Sequence, residues 1–395
     1  MKPLENIRVI DLGRFVSAPF CGQLLADMGA EVIKVERPGK GEDGRVLGPF
    51  KDGESLYVPA FNRNKKGITI NTRDPEGMQI LKDLIKSADV VIENYRPGTI
   101  KKMGISYEDL KEINPRIILA SISGYGQTGP DAFKPAFDPI AQAVGGIYAI
   151  TGTADSGPLG AGTIIADLSC GLYTAYGILC AIMQREKTGV GQYIDTAMVD
   201  SMVSFMHTYV ANYSANGVIP PRHGNRDLIS APADCYKCKD GYVVMHAGED
   251  KSYEILKEII QDPRLEDHKF DTHQDRVTYQ EEMEGYIQEW FAVRTAQEAA
   301  DALSNGPRGG VIAAVVNDMP RLFASEQLKA RHTLVEMDTP YGNKCVFQGN
   351  PVKMSDYEVE YHRCPQIGED NEAVLTRLLG YTADEVKAMK DKGVI

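Results

Sequence analysis

Strand-like and helix-like segments alternate along the first 123 residues, and this alternation constrains the fold more than any other feature of the sequence. The strand-like runs are short, apolar and rich in β-branched residues, and the segments between them have helical spacing. This order predicts a mostly parallel sheet with helices on both faces, a Rossmann-like α/β domain. The strands are predicted at 7–11, 31–36, 68–70, 90–93 and 117–121, and the helices at 19–28, 75–86 and 107–113.

The later part of the chain has a different character. An apolar helix is predicted over 199–216, and the Pro- and Gly-rich stretch 220–226 is typical of a crossing between domains. Short strands among polar helices then predict a smaller α+β domain over 225-325, after a large domain over 1-215. The segment 328-395 ends in two short amphipathic helices. Two domains agree with a length of 395 residues, which is long for one hydrophobic core.

Charge and cysteine content exclude several classes of protein. A net charge of −12 is unfavourable for binding nucleic acid or an anionic membrane surface. No uninterrupted apolar run reaches the roughly 18 residues of a membrane span, and the first residues lack a signal-peptide core. Seven cysteines, an odd number, are typical of reduced cytoplasmic thiols. The only CxxC, Cys235–Cys238, has no second pair of ligands at similar spacing, so we expect no metal site.

Cationic side chains and glycines are concentrated in the segments that flank the predicted strands. Ligands of a parallel sheet bind where the strands end, so an acidic protein with cations there is expected to bind a phosphorylated ligand. A solvated basic rim without a ligand is the alternative. The segments are 36–41 with Arg45, 62–67, 94–98, 101–104 and 123–130.

A nicotinamide dinucleotide is one phosphorylated ligand that such a sheet binds. Glu36 lies at the end of the second strand, where a ribose-binding acid is expected. The turn after the first strand, however, lacks the G-x-G-x-x-G pattern, and Pro19 opens the next helix instead. The sequence therefore does not favour a dehydrogenase.

Asp167 is the main catalytic candidate. It precedes the nearly uncharged run 172–183, which predicts a helix facing the core, and it falls at the first turn of that helix. Free backbone N–H groups and the helix dipole at this end are expected to keep the carboxylate ionised. An ionised, partly desolvated carboxylate is one form of covalent nucleophile. The alternative is that Asp167 only caps the helix.

Taken together, these segments resemble the class III CoA-transferase family, which includes formyl-CoA transferase and the carnitine CoA-transferases. The resemblance extends over nearly the whole chain, and the order of its motifs makes it specific. The motifs are 4–11 (LENIRVID), 24–36 (LLADMGAEVIKVE), 62–66 (NRNKK), 93–98 (ENYRPG), the loop 123–130, 187–195 (KTGVGQYID) and the Asp240–Gly241 turn.

The resemblance implies a fold, a site and a partner. The family's nucleophilic aspartate falls on Asp167, and no cofactor is implied, since the coenzyme A thioester is itself a substrate. Its fold is a Rossmann-like large domain with a smaller inserted domain, completed by the C-terminal segment, and two chains form an interlocked homodimer. The residues implied to bind coenzyme A are Val16, Arg37, Asn94, Tyr95, Lys102, Met103 and Phe137.

The implied activity is transfer of CoA from an acyl-CoA to a small carboxylic acid through an aspartyl anhydride and an aspartyl-CoA thioester. Val16 stands where formyl-CoA transferases have a glutamine, and their glycine-rich loop is missing from 224–239, so a carnitine-type or 2-hydroxy acid is expected instead of formate or oxalate. The 2-methylacyl-CoA racemases of this fold use a histidine where this chain has 135–139 (PAFDP), without a histidine. A non-catalytic acyl-CoA-binding protein is the third alternative.

Overall fold

The computed structural model describes residues 1–395, and its central feature is a six-stranded sheet in which all neighbouring strands are parallel. The strand order is β5-β2-β1-β6-β7-β8, the doubly wound order in which β1 and β6 diverge from the centre. The predicted parallel α/β sheet is therefore confirmed. Strands β3 and β4 form a separate antiparallel hairpin. The strands are β1 (Arg8–Asp11), β2 (Glu31–Glu36), β3 (Phe50–Lys51), β4 (Glu54–Ser55), β5 (Lys66–Thr69), β6 (Val90–Glu93), β7 (Ile118–Ser123) and β8 (Tyr193–Ala197).

The central strands are apolar at nearly every position because both faces of the sheet are buried. Successive side chains of a strand point to opposite faces, so Val9 and Ile10 belong to two different hydrophobic clusters. Strand β8 was not predicted from the sequence. It lies at the sheet edge, and Tyr193 and Asp195 interrupt its apolar pattern.

Ten helices surround this sheet or follow it in the chain. Asp74 and Pro75 begin α3, where the Asp74 carboxylate accepts from two backbone N–H groups, and Ser106 begins α5 with a capping box. The helices are α1 (Ser17–Asp27), α2 (Pro59–Asn62), α3 (Pro75–Lys86), α4 (Thr99–Lys102), α5 (Tyr107–Ile113), α6 (Asp138–Val144), α7 (Ile147–Ile150), α8 (Ile165–Thr188), α9 (Met198–Ser204) and α10 (His207–Asn216).

One expectation about the later helices was wrong, and one helix passes a length test for a membrane span. The single helix expected over 199–216 is divided into α9 and α10, because His207 has a positive φ of 35°. Helix α8 has 24 residues and, by length and composition alone, could cross a membrane. The sequence nevertheless contains no uninterrupted apolar run of that length. The length and composition of α8 are weak evidence for a span, since core helices pass the same test and 44% of its apolar window is buried.

The chain divides into two compact units. The large unit contains Met1–Tyr148, Gly160–Val218 and Leu328–Ile395, and the second unit contains Ala149–Leu159 and Ile219–Gln327. The second unit has its own apolar core around an antiparallel sheet in the order β11-β10-β9. Its strands are β9 (Ala233–Lys237), β10 (Tyr242–His246) and β11 (Ile312–Val315), and its main helices are α11 (Asp250–Ile260), α12 (His273–Thr278), α13 (Gln280–Ala292), α14 (Ala296–Ser304) and α15 (Met319–Ala324).

The two cysteines of the CxxC motif, Cys235 and Cys238, lie in this second unit. Strand β9 carries Cys235, and its Tyr236 stacks on Phe291 with ring centroids 4.6 Å apart. All seven cysteines of the chain are free thiols. No group of three or more His, Cys, Asp or Glu side chains is placed to hold a metal ion. Cys235 therefore lies within β9, and Cys238 directly follows the last residue of that strand.

The C-terminal segment packs against the first half of the large unit. The Asp370 carboxylate accepts from the Gly67 N–H at 2.7 Å, and the Asn371 side chain accepts from the Thr69 N–H at 2.8 Å. A β-carbon at Gly67 would lie 2.8 Å from Pro365, so this edge of the sheet needs glycine. The elements of the segment are α16 (Glu326–Ala330), β12 (Leu334–Asp338), β13 (Lys344–Gln348), α17 (Asn371–Leu379) and α18 (Ala383–Asp391).

Candidate functional site

A cavity of about 510 Å³ lies where β1 and β6 diverge, at the carboxyl ends of the strands. Ligands of doubly wound sheets bind at this position, because the loops after the two strands leave in opposite directions. Asp167 lines the cavity together with Ser17, Tyr57 and Phe137. The other lining residues are Arg14, Phe15, Leu47, Asn94, Tyr95, Arg96, Pro97, Ile122, Ser123, Gly124, Ala132, Lys134, Pro135, Ala136 and Met198. No histidine lines this cavity, which leaves the racemase alternative without its base.

Asp167 is in the first turn of α8, but it does not cap the helix. The Asp138 carboxylate accepts from the backbone N–H groups of Ala166 at 2.7 Å and Asp167 at 3.1 Å. Asp138 therefore satisfies donors that a helix start leaves free. The alternative that Asp167 only caps the helix is wrong, and its side chain is available for chemistry.

Ser17 acts on the Asp167 carboxylate, because its backbone N–H and its hydroxyl group favour the ionised form and so lower the pKa of Asp167. Helix α1 begins at Ser17 and packs very closely on α8, since a β-carbon at Gly171 would lie 2.6 Å from the Ser17 carbonyl oxygen. The glycine one turn after Asp167 thus allows the contact between the helices that brings Ser17 to the carboxylate.

The pKa of Asp167 is raised above its usual value. Burial and, to a lesser extent, the neighbouring charge of Asp138 raise the pKa of Asp167 to about 6, although Ser17 opposes the rise. The helix N–H groups expected to keep the carboxylate ionised are instead bound to Asp138. Asp167 is still mainly ionised at pH 7, in a form less well solvated than an exposed carboxylate. Tyr57 lies in the same field: burial and the charge of Asp167 raise its pKa to about 12.

The charge of Asp138 gives a prediction for pH dependence. In Asp138→Asn the amide oxygen can still accept from the helix N–H groups, but the negative charge is gone, so the pKa of Asp167 should fall. If Asp167 reacts as the carboxylate, kcat/KM of the wild type declines below about pH 6, and in the variant this decline moves to lower pH by up to about one unit.

A pH profile of kcat/KM for both proteins measures this shift. Asp195→Asn is the matched control, because Asp195 is an exposed carboxyl group with a raised pKa that does not contribute to the pKa of Asp167. An acid limb that stays at the same pH in Asp138→Asn would contradict the electrostatic coupling between the two carboxyl groups.

The loop from Gly13 to Ser17 is held by buried charges. The Asp11 carboxylate accepts from the Gly13 N–H at 2.8 Å and from Lys65 Nζ at 2.8 Å. Lys65 Nζ also donates to the Pro19 carbonyl oxygen at 2.7 Å, and Lys34 Nζ donates to the Gly13 carbonyl oxygen. Burial alone would raise the pKa of Asp11, but the two lysines and the hydrogen bonds lower it.

The same loop is held from two further sides. Glu42 accepts from the Phe15 N–H at 2.8 Å and lies 3.6 Å from Lys34 Nζ, and Phe15 has the left-handed φ of 63°. The Asn94 amide accepts from the Arg14 N–H and donates to the Arg14 carbonyl oxygen, both at 2.8 Å. These contacts fix the position of the Ser17 N–H, which is the donor to Asp167.

A second cavity, of about 340 Å³, lies beside the first and contains Arg37. Its Nε donates to the Gly41 carbonyl oxygen at 3.0 Å, its guanidinium pairs with Asp43, and the side chain is 55% exposed. Arg73 lines the same cavity, and Arg14 and Tyr95 line both cavities. The guanidinium groups along this path suit a phosphorylated ligand.

Five of the seven residues implied to bind coenzyme A line one or both of the two cavities. Arg37 and Met103 line the smaller cavity, Asn94 and Phe137 line the larger one, and Tyr95 lines both. The Asn94 side chain is already bonded to the loop, so a role in binding falls to its backbone.

The two remaining residues line neither cavity. Val16 is 2% exposed, and its carbonyl oxygen accepts from the Phe20 N–H at 2.7 Å. Lys102 is exposed in α4.

Three residues at the site were not predicted as functional: Ser17, Tyr57 and Asp138. Asp138 precedes a proline at the start of α6, and this pattern indicates a helix start but not that the carboxylate reaches another helix 28 residues later. No local signal marks Ser17 or Tyr57, because their roles depend on packing between distant segments.

The fold and the site define a class: a doubly wound α/β protein with a buried acidic side chain in one cavity and a cationic cavity beside it. The chain matches the model of CoA-transferase family III over residues 4–371 and belongs to that family. The protein is a class III CoA-transferase.

Similar proteins cover nearly the whole chain. A mouse protein named succinyl-CoA:glutarate CoA-transferase is 36% identical over 100% of this chain and 91% of its own length. The succinyl-CoA–D-citramalate CoA-transferase of Chloroflexus aurantiacus is also 36% identical, over 100% of this chain and 98% of its own. The crystal structure of a CAIB/BAIF family protein from Brucella suis has a TM-score of 0.86 at 34% identity, covering 95% of this chain and 99% of that one.

Proposed function

We propose that this CoA-transferase carries out its reaction through a covalent intermediate on Asp167. The observation that supports the proposal is the environment of this carboxyl group: it lines the cavity, it is desolvated, and it holds two donors from Ser17 while Asp138 occupies the helix N–H groups. A carboxylate with these properties is a competent nucleophile toward a thioester.

The reaction balances without a metal or an external base. An oxygen of the Asp167 carboxylate attacks the thioester carbonyl carbon, and the C–S bond breaks to give an aspartyl anhydride and CoA thiolate. The thiolate attacks the aspartyl carbonyl carbon, the anhydride C–O bond breaks, and the donor acid leaves as a carboxylate. The acceptor carboxylate then attacks the aspartyl-CoA thioester, and the steps run in reverse. No proton is gained or lost in this sequence.

Ser17 has a defined part in this sequence. When CoA thiolate attacks the aspartyl carbonyl carbon, negative charge develops on the aspartyl oxygen. The N–H and hydroxyl groups of Ser17 already favour negative charge on the Asp167 carboxyl group. Donors placed in advance stabilise such charge without reorganisation, which is the largest single contribution in many acyl transfers.

The acceptor is proposed to be a small 2-hydroxy acid. Of the two classes expected from the resemblance, carnitine carries a quaternary ammonium group, whereas the basic side chains of the cavity are Arg14, Arg96 and Lys134. Like charges oppose binding in a partly desolvated site. D-citramalate, which is named in the Chloroflexus relative, is a 2-hydroxy acid.

Trapping the intermediate tests the proposal. Incubation with an acyl-CoA followed by hydroxylamine should convert Asp167 to a hydroxamate, because both the anhydride and the thioester react with this amine. Peptide mass spectrometry locates the modification, and Asp155, an exposed aspartate, is the internal control. Modification of another residue, or transfer activity without any modification of Asp167, would contradict the mechanism.

We also propose that the enzyme is a homodimer with interlocked chains. Helix α8 exposes Leu172, Tyr176 and Met183, which are 57%, 67% and 67% exposed, and α10 has no buried residue. Apolar surface on this scale is unusual for an isolated chain and is expected to be covered by a second copy.

The dimer gives a prediction that a conventional interface does not share. Interlocked chains separate only by unfolding, so the protein should sediment at about twice 43.4 kDa at all dilutions. Its melting temperature should also be independent of moderate salt. Sedimentation velocity over a hundredfold range of concentration measures this. A folded, active monomer would contradict the dimer, and a measurable dissociation constant would contradict the interlocking.

A further inference from the structure

We propose that the Asn94 side chain fixes the direction of the Ser17 hydroxyl group, so that this hydroxyl donates to Asp167 during acyl transfer. The inference rests on the proposed function and adds a residue to it. Asn94, Ser17 and Asp167 line the same cavity, and Asn94 Nδ2 lies 3.3 Å from Ser17 Oγ. Asn94 acts through Ser17, so it is a positioning residue and not a catalytic one.

The hydrogen bonds of Asn94 determine which end of its amide group faces Ser17. The Arg14 N–H can only donate, so the amide atom that lies 2.8 Å from it is the oxygen. The other atom is therefore the nitrogen, which donates to the Arg14 carbonyl oxygen at 2.8 Å and to Ser17 Oγ at 3.3 Å. Each hydrogen of the amide group thus has an acceptor.

The end of β6 holds Asn94 in place. Glu93 is 2% exposed, and its carboxyl group accepts from the Tyr95 N–H at 2.7 Å. The Leu12 N–H donates to the Ile92 carbonyl oxygen at 2.8 Å, which joins the start of the loop after β1 to the same strand end. Contacts of both neighbouring residues therefore place the Asn94 side chain before a ligand binds.

The direction of the Ser17 hydroxyl group follows from this arrangement. A hydroxyl group has one hydrogen to donate, and Ser17 Oγ already accepts from Asn94, so its hydrogen points away from Asn94. Ser17 is 3% exposed, so bulk water does not compete for this hydrogen. The Ser17 side chain lowers the pKa of Asp167, which identifies the carboxyl group on which the hydroxyl acts. The hydrogen is therefore available to the aspartyl oxygen when charge develops there.

Asn94→Asp reverses the polarity of this contact. The carboxylate still accepts from the Arg14 N–H, but it cannot donate to Ser17 Oγ. The Ser17 hydroxyl group is then expected to donate to the new carboxylate, a stronger acceptor than an amide oxygen, and to leave Asp167 without this donor.

Exchange of an isotope-labelled acid into its own CoA thioester measures the complete transfer sequence without a second acid. The donors are acetyl-, butyryl- and succinyl-CoA, each with its own labelled acid. In Asn94→Asp, kcat for this exchange should fall at least about tenfold, and KM for the acyl-CoA should change less than about threefold. Modification of Asp167 by hydroxylamine should persist, since the anhydride forms before charge develops on the aspartyl oxygen.

A double variant separates the hydroxyl direction from the other effects of Asn94→Asp, which are an added charge and a lost bond to the Arg14 carbonyl oxygen. Ser17→Ala alone should lower kcat at least about tenfold. Adding Asn94→Asp to Ser17→Ala should lower kcat less than about threefold further, because no hydroxyl group is left to turn. Asn94→Ala removes the donor without adding a charge, and it should give a smaller loss with the same dependence on Ser17.

Asn114→Asp is the matched control. Asn114 also donates to a carbonyl oxygen, that of Ala88 at 2.8 Å, and accepts from a backbone N–H, that of Arg116 at 3.0 Å, but it lines neither cavity. This variant should leave the kcat and KM of exchange unchanged.

Three outcomes contradict the inference in different ways. Losses that multiply in the double variant would show that Asn94 does not act through the Ser17 hydroxyl group. A higher KM with an unchanged kcat in Asn94→Asp would assign its side chain to coenzyme A binding. Either result, with Asp167 modified in the wild type, overturns the inference alone. Absence of Asp167 modification in the wild type would overturn the proposed function and the inference together.

Discussion

Asp167→Asn should reduce transfer at least about a thousandfold, with the fold intact. An amide is nearly isosteric with the carboxylate but is a poor nucleophile toward a thioester, so the anhydride cannot form. The helix start is not affected, because Asp138 binds the N–H groups of Ala166 and Asp167. Steady-state transfer between succinyl-CoA and a small acid, together with circular dichroism, measures both effects.

The same variant should be more stable than the wild type at neutral pH. Burial raises the pKa of Asp167 from 3.8 to about 6, so the ionised carboxyl group is less favourable in the folded than in the unfolded chain. This cost is absent below about pH 4 and complete above about pH 6, where Asp167→Asn should gain on the order of 2–3 kcal/mol.

Asp155→Asn, at an exposed position, is the control for both measurements and should change neither activity nor stability. Activity near the wild-type level in Asp167→Asn would exclude the covalent mechanism. A loss of stability at pH 7 would contradict the assigned pKa.

Lys65→Met should give the largest loss of stability of any single substitution discussed. The Lys65 ammonium group is fully buried and donates to Asp11, Pro19 and Asn62 at 2.7–2.8 Å. Methionine fills similar space but leaves a buried carboxylate and two carbonyl oxygens without this donor. Breaking one side of a buried ion pair costs about 3–5 kcal/mol. Urea unfolding followed by fluorescence measures the change.

The neighbouring Lys66 is the matched control. Its ammonium group pairs with Glu31 at 2.8 Å, but the side chain is 45% exposed, so Lys66→Met should cost less than about 1 kcal/mol. Equal effects of the two substitutions would show that the network around Asp11 does not hold the loop that carries Ser17.

The sequence was sufficient for the sheet because its central strands are buried on both faces and therefore read as uninterrupted apolar runs. It was insufficient at the edge, where β8 alternates exposed and partly buried residues before its last position. It also did not indicate the break between α9 and α10, since α10 has no buried face and its apolar residues resemble a continuation of the helix.

The site was predictable only in part. Asp167, Arg37 and Tyr95 fall next to strand ends or helix starts, which local patterns identify. The contribution of Asp138 depends on a contact across 28 residues, and that of Ser17 depends on the packing of α1 against α8 at Gly171. For this reason the helix N–H groups that were expected to keep Asp167 ionised are bound to Asp138 instead, although Asp167 itself was placed correctly at the start of the helix.

The packing of α17 and α18 has a consequence for how the protein is made. Val374, Leu375 and Met389 complete the apolar layer over one face of a sheet whose first five strands lie before residue 124. The bond between Gly67 and Asp370 joins residues 303 positions apart. At a synthesis rate of roughly 5–20 residues per second, the intervening chain takes about 15–60 seconds to emerge, and the part of this face that α17 and α18 cover stays exposed for that time. The nascent chain is therefore expected to depend on chaperones until the last two helices arrive.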